Sequence, residues 1–215
     1  MKAYECSAVA SALVIVLGLV WYIGLVMTKR VQTVTASWIV STTALSLSLV
    51  TYFSSPHTSR LGGLLNTASA CAVGMTTVAV FIRSRLDGIR LEFSEFQRKC
   101  LRASAGITIL WIIVVYVMHG TGVIPNLLTQ LMLVISYSML IAKFWKATEN
   151  TESLFTWWCV LLSSVIGMFT AYMKSDPLAL IYALRSTVMC GILVYALHRI
   201  GRRNRLSPVA LKIDA

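Results

Sequence analysis

Arg185 is the residue whose position most needs a chemical account. It lies in Leu178–Leu197, a stretch otherwise free of charge, roughly 10 Å along a helix from its start at about 1.5 Å per residue. A charge at that depth costs at least about 2.5 kcal/mol even on lenient scales of membrane insertion. Such a guanidinium either faces a wet cavity, where its fork suits a carboxylate or phosphate group, or snorkels outward to cap backbone carbonyls of a neighbour. Asn66, in another apolar stretch, has two roles open to it: a hydrogen bond to a polar solute at mid-bundle, or an interhelical bond of about 0.6 kcal/mol. Ser186 and Thr67 beside these residues are weaker candidates, since small hydroxyl side chains also line plain helix contacts.

The other reactive residue types form no constellation. His57, His119 and His198 stand at the ends of apolar stretches and share no ligand spacing. The five cysteines, Cys6, Cys71, Cys100, Cys159 and Cys190, are far apart and include no Cys-x-x-Cys pair. Neither a metal, a cofactor, a disulfide framework nor an enzymatic nucleophile–base pair is expected. A retinal Schiff base is excluded because Leu178–Leu197 contains no lysine.

The elements that must position these residues are legible from composition. Hydrophobic residues make up 57% of the 215-residue chain and charged residues 13%, against about a quarter charged in ordinary soluble domains. The apolar residues come in seven blocks: Ser7–Met27, Ala36–Phe53, Leu61–Ile82, Ala103–Met118, Val123–Ala142, Leu154–Met173 and Leu178–Leu197. All eight carboxylates fall outside them. Blocks of this length predict membrane-spanning helices, because backbone polar groups in lipid must be satisfied within the segment. The alternating pattern of a membrane β-barrel is absent. The first block reads as a retained span and not a signal peptide, since its positive flank, Lys29 and Arg30, follows it.

Apart from Arg185, the charged residues behind the net charge of +11 lie outside the blocks. Fifteen Lys and Arg residues collect on the side holding the connections after blocks one, three and five and the carboxyl-terminal tail; Lys2, Arg60 and Lys174 lie on the other. The positive-inside rule makes the first side cytoplasmic and the amino terminus external, in a plasma or inner membrane. The charge therefore reports orientation, and nucleic acid is not an expected partner. Trp21, Tyr22, Trp38, Trp145, Trp157 and Trp158 cluster near the expected inner ends as an interfacial belt. Tyr52 and Tyr172 stand near the outer ends as belt anchors or gates of an outer mouth, and Asp176 reads as part of a solvated turn.

The longest connection, Arg83–Arg102, places Leu86, Ile89, Phe93, Phe96 and Cys100 at helical steps. It predicts an amphipathic helix that lies on the anionic leaflet or simply extends the fourth span. A constant shift of the chain on itself sets Trp38 on Trp158, Tyr52 on Tyr172 and Thr67 on Thr187, and gives both halves the same spacing of elements. The expected organisation is a three-helix unit over 1–82, a linker with an inverting fourth helix over 83–120, a second three-helix unit over 121–200, and a basic tail over 201–215. Parallel repeats of this kind are a standard transporter architecture.

On these features the chain resembles the SWEET-type sugar transporters and the wider PQ-loop superfamily. The stretches that carry the resemblance are Val34–Ile82 and Leu154–Arg199, with Thr156-Trp157-Trp158 leading to Tyr172 and Asp176-Pro177. The resemblance implies an all-α, seven-helix 3+1+3 bundle that carries a small polar solute, an anionic one included, by alternating access. It places the site at Asn66 in the first half and at the matching Ser186 in the second, with Arg185, Thr67 and Thr170 nearby. The family's Pro-Gln pair is absent from both halves, and Gly24, Ser136 and Ser138 stand as substitutes for hinge prolines. With all carboxylates outside the spans, facilitated diffusion is expected over a carboxylate proton relay. A vitamin-precursor carrier of the PnuC type and a non-transporting membrane scaffold or subunit remain alternatives. Homo-oligomerisation and contacts with membrane lipids are left open.

Overall fold

The structure is a computed structural model that describes residues 2–55, 62–88, 92–117, 119 and 122–210. Among the described residues it is all-helical. The helices are α1 (Ala3–Met27), α2 (Thr35–Ser54), α3 (Gly62–Leu86), α4 (Glu95–Ile112), α5 (Val123–Lys146), α6 (Leu154–Met173) and α7 (Pro177–Ala210). A π-helical turn, Ile113–Val117, continues α4. All seven are long and apolar enough to cross a membrane. The described residues of each apolar block lie on one helix, the fourth with its π-helical turn, and most helices run past their block by a turn or more. The apolar core sets the span, while polar flanking residues still favour helix.

Local chemistry sets several boundaries. Ser94 caps α4: its hydroxyl accepts from the Gln97 backbone N–H at 3.2 Å, and the Gln97 side chain accepts from the Ser94 N–H at 2.9 Å. Ser153 opens α6 by accepting from the Thr156 N–H at 3.2 Å. Asp176 opens α7 by accepting from the Ala179 N–H at 3.0 Å, with Pro177 at the first helical position, where its missing N–H is harmless.

One expectation fails at the long connection. The amphipathic helix expected across Arg83–Arg102 is interrupted: α3 ends at Leu86, Gly88 takes a left-handed φ of 63°, and residues 92–94 are not helical ahead of α4. The cause is local. Asp87 is bound by Arg83 at 2.5 Å and by Lys29 at 2.7 Å, which ties the end of α3 to the end of α1, and Ser94 starts a new helix. Ile89 and Arg90 lie outside the described residues, as do His57, Arg60, Lys212 and Asp214.

In the bundle α3 packs against both α1 and α2, and α7 against both α5 and α6. Helix α1 also lies along α6, and α2 along α5, while α4 packs on α5 and touches α2. One end of the bundle, the basic end, gathers Lys29, Arg83, Lys143, Lys146 and Arg199.

Burial follows a shared pattern in paired helices. Trp38 and Trp157 are each the fourth residue of their helix, α2 and α6, and both are buried, as are Thr51 and Thr170 at the matching later position. The run Thr76–Val80 in α3, two buried, one exposed and two buried, recurs as Leu193–Leu197 in α7. In that register Ser186 matches Ser69 and not Asn66. The sequence shift that sets Trp38 on Trp158 and Tyr52 on Tyr172 is therefore out of register with burial: Trp158 and Tyr172 are exposed, Trp38 and Tyr52 buried. Identical side chains supplied that shift, whereas packing follows the 3.6-residue turn.

Candidate solute site and the contacts that close it

Arg185 is held in place by neutral partners. Its Nε donates to the Gln130 Oε1 at 3.0 Å, and its guanidinium lies 5.1 Å from the Tyr182 ring centre and 5.5 Å from that of Tyr137. Such cation–π contacts are stronger where water is excluded. Its Nη1 is buried without a hydrogen-bond partner. Gln130 in turn donates to Asn126 at 3.2 Å, so a polar relay on α5 steadies a charge on α7. Gln130 and Asn126 were missed in the sequence. The signal available was their placement one turn apart within an apolar block.

Arg185 borders a cavity of about 50 Å³ that touches α1, α2, α3, α5, α6 and α7. Its polar lining includes Ser37, Ser41, Ser69, Tyr137, Tyr182 and Ser186. A cavity needs roughly 10–15 Å³ to hold a water, so this one has room for a few waters or a small polar group. A second cavity of about 10 Å³ is lined by Ser48, Tyr52, Asn66, Asn126 and Tyr182, so Tyr182 borders both. Asn66 does make an interhelical hydrogen bond, from Nδ2 to the Ser48 hydroxyl at 3.1 Å, yet its Oδ1 and the Asn126 Nδ2 are buried and unpartnered. A larger cavity, about 460 Å³, sits at the basic end among Lys29, Gln32, Arg83, Asp87 and Phe93, away from Arg185.

The expected site is thus brought together in part. Arg185, Ser186 and Trp38 border the central cavity, and Asn66 and Tyr52 the smaller one. Ser186 accepts from Ser164 at 2.7 Å. Thr67 borders neither cavity and bonds back to the Gly63 carbonyl at 2.9 Å. Thr170 pairs with Ser7 on α1 at 2.7 Å, as an interhelical contact and not a lining residue. Trp158 faces outward, ring against ring with His198, and Tyr172 is exposed, so both fit interfacial anchors. Trp21 and Trp145 are also exposed, whereas Tyr22, Trp38 and Trp157, expected in the belt, are core residues.

Two tyrosine–carboxylate pairs close the ends of the bundle. At the end opposite the basic one, Tyr52 on α2 donates to Asp176 at the start of α7, and both are buried. Asp176 is therefore not part of a solvated turn. At the basic end, Tyr22 on α1 donates to the Glu152 Oε2 at 2.9 Å, and Lys143 on α5 lies 3.7 Å from Oε1. Lys143 also donates to the Gln32 carbonyl, and the Gln32 N–H to the Thr151 carbonyl at 3.0 Å. The Glu152 side chain is fully buried, and desolvation pushes its carboxyl up to about 7, against the weaker pull of Lys143, Tyr22 and Trp157. The premise that no carboxylate is buried in the bundle is overturned. Glu152 and Asp176 do lie outside the helices, but the connections carrying them fold into the ends of the bundle.

By helix length and composition this is a membrane-type bundle of seven apolar helices, six of which border a small, mainly apolar cavity with a few polar groups in its wall. Compared with protein-family models, curated proteins and solved structures, the chain matches none.

Proposed function

We propose that the chain is a membrane transporter that carries a small polar solute, an anionic one included, by alternating access between two three-helix units, α1–α3 and α5–α7. The basic end faces the cytoplasm in this reading, as the positive-inside rule requires. The observation that carries it is the partnerless Nη1 of Arg185 beside a cavity that touches all six of those helices. An arginine kept for helix packing alone is expected to have its N–H groups satisfied, whereas one kept for a solute leaves a donor free.

The packing order supports the two units. Helix α3 joins α1 to α2 as α7 joins α5 to α6, and the contacts α1–α6 and α2–α5 exchange under the same correspondence. The matched burial of α2 with α6 and of α3 with α7 points the same way. These features agree with the SWEET-like layout, from which the absence of Pro-Gln pairs departs. With Glu152 buried, the sequence argument for passive diffusion no longer holds.

The test is thermal stabilisation of the purified protein by sugars, nucleosides, amino acids and small carboxylated or phosphorylated solutes, beside an Arg185→Gln variant. A solute that stabilises the wild type and not the variant places Arg185 in the site. No shift with any solute, together with a variant that is merely less stable, makes Arg185 structural and favours a scaffold or subunit.

A further inference from the structure

Glu152 stands apart from the exposed acidic groups among the described residues. It is borne by the connection between α5 and α6, its carboxylate is fully buried, and its Oε1 has no hydrogen bond. The group that holds it, Tyr22, comes from α1 and is itself fully buried. On the transporter reading these partners belong to opposite units, so the basic end cannot open without parting them. The titratable groups facing Glu152 are Tyr22 from α1 and Lys143 from α5. Helix α6 presents the Trp157 indole, α2 places Trp38 against the Tyr22 ring at 5.2 Å, and the α1–α2 connection supplies only the backbone of Gln32. Among the described residues no other charged side chain pairs with Glu152.

We propose that Glu152 is a proton-binding site that couples solute movement to proton movement: shut in against Tyr22 at the cytoplasmic end, its carboxyl is kept from water and carries a proton, and opening that end hydrates the carboxyl and lets the proton go. The inference rests on the transporter reading and goes beyond it. Shut, the site is dry and favours the neutral acid. Open, water reaches the carboxylate and its affinity for the proton returns to that of an ordinary glutamate. Each cycle then takes one proton onto a Glu152 oxygen while the cytoplasmic end is shut and gives it to cytoplasmic water once that end opens. No electron changes hands. The loading path is the central cavity, whose lining includes both Trp38 and Trp157. The neutral-range titration of the shut state makes the switch usable at cellular pH.

The sign follows from linkage. Acid favours the shut cytoplasmic end; as pH rises past the ordinary glutamate range only the open, hydrated form ionises, which favours opening, until near 7 the shut form ionises too and the dependence levels off. Val73 on α3 lines the central cavity and reports this opening as Val73→Cys. In proteoliposomes, a membrane-impermeant thiol reagent is applied to the basic face, and modification of that residue is read by peptide mass spectrometry. The same measurement on Val73→Cys with Glu152→Gln, a near-isosteric neutral variant that keeps an acceptor for Tyr22, cancels the thiol's own titration. The ratio of the two rates is expected to rise up to about tenfold per pH unit and to level off above about 7. Infrared difference spectra should show a protonated-carboxyl band lost through the same range in the wild type and missing in Glu152→Gln. Modification at a pH-independent ratio overturns proton coupling and leaves the transporter reading standing. No modification at any pH, in either protein, overturns both.

Discussion

Ser37 on α2 and Ser136 on α5 each donate a hydrogen bond to the other's backbone carbonyl, at 3.0 and 2.8 Å, with their hydroxyl oxygens 2.8 Å apart. Ser11 on α1 and Ser163 on α6 repeat the arrangement at 2.8 and 2.9 Å. Small residues let the backbones approach this closely, and the reciprocal bonds satisfy both hydroxyls where water is absent. The two clasps sit on the α1–α6 and α2–α5 contacts, the surfaces that separate if the halves of the bundle rock.

Replacing both members of one clasp tests whether these contacts hold the closed form. Ser37→Ala with Ser136→Ala removes the two reciprocal bonds and the Ser41–Ser136 hydroxyl bond at 2.6 Å, three interhelical bonds of about 0.6 kcal/mol each, so a loss of about 2 kcal/mol is expected in thermal or detergent unfolding. Hydrogen exchange in α2 and α5 should rise together. A loss of several kcal/mol would mean that the serines fix the fold and not merely the contact.

Gly18 and Gly24 on α1 should respond oppositely to alanine. A Cβ on Gly18 would stand 2.5 Å from the Cys159 Cβ on α6, whereas one on Gly24 meets nothing within 4 Å. Gly18→Ala is expected to cost about 1–3 kcal/mol through overpacking. Gly24→Ala should be neutral or stabilising by up to about 1 kcal/mol, since alanine is the better helix former. Unfolding of the two variants side by side decides this. Gly24, a candidate hinge in the sequence, loses that role if Gly24→Ala leaves solute binding unchanged.

Tyr52→Phe removes the donor to Asp176 at the end opposite the basic one. The carboxylate of Asp176 keeps the Ala179 N–H, so the cap of α7 survives. A hydrogen bond to a charged acceptor is worth about 1.5–3 kcal/mol, and a loss in that range is expected by thermal unfolding. Thiol labelling of a cysteine in the smaller cavity, from that face, should become faster.

Stability should depend on pH through Glu152. Burial pushes its folded-state carboxyl up from the ordinary 4.5 to about 7. Both states are protonated below the lower value. Between the two values only the unfolded chain ionises, so folded stability falls as pH rises and flattens above about 7. The full effect is roughly 3 kcal/mol at about 1.36 kcal/mol per unit. Thermal unfolding of wild type and Glu152→Gln across this range should show the wild type alone losing stability. Parallel curves would show that Glu152 is hydrated in the folded protein.

The seven spans were readable because each is a contiguous apolar run, which hydropathy detects without any contact information. Arg185 was readable for the converse reason, as the one charge in such a run. What joins the helices was not. Tyr22, Trp38 and Trp157 looked like belt residues because aromatic side chains near a span end serve either purpose, and only packing tells a buried ring from an interfacial one. Glu152 and Asp176 looked solvated because they lie in connections, and connections usually run over the surface. The Ser37–Ser136 clasp joins residues far apart in sequence, and serine in a helix carries no mark of its partner.

Labelling of a cysteine at Ser69 from each face of the membrane tests alternating access most directly. Ser69 lines the central cavity together with Ser186, and its hydroxyl bonds back to its own helix at the Leu65 carbonyl. In proteoliposomes of known orientation, Ser69→Cys should react with an impermeant reagent added to either face, and a stabilising solute should suppress both reactions. Labelling from neither face, or from one face under every condition, contradicts transport through this cavity.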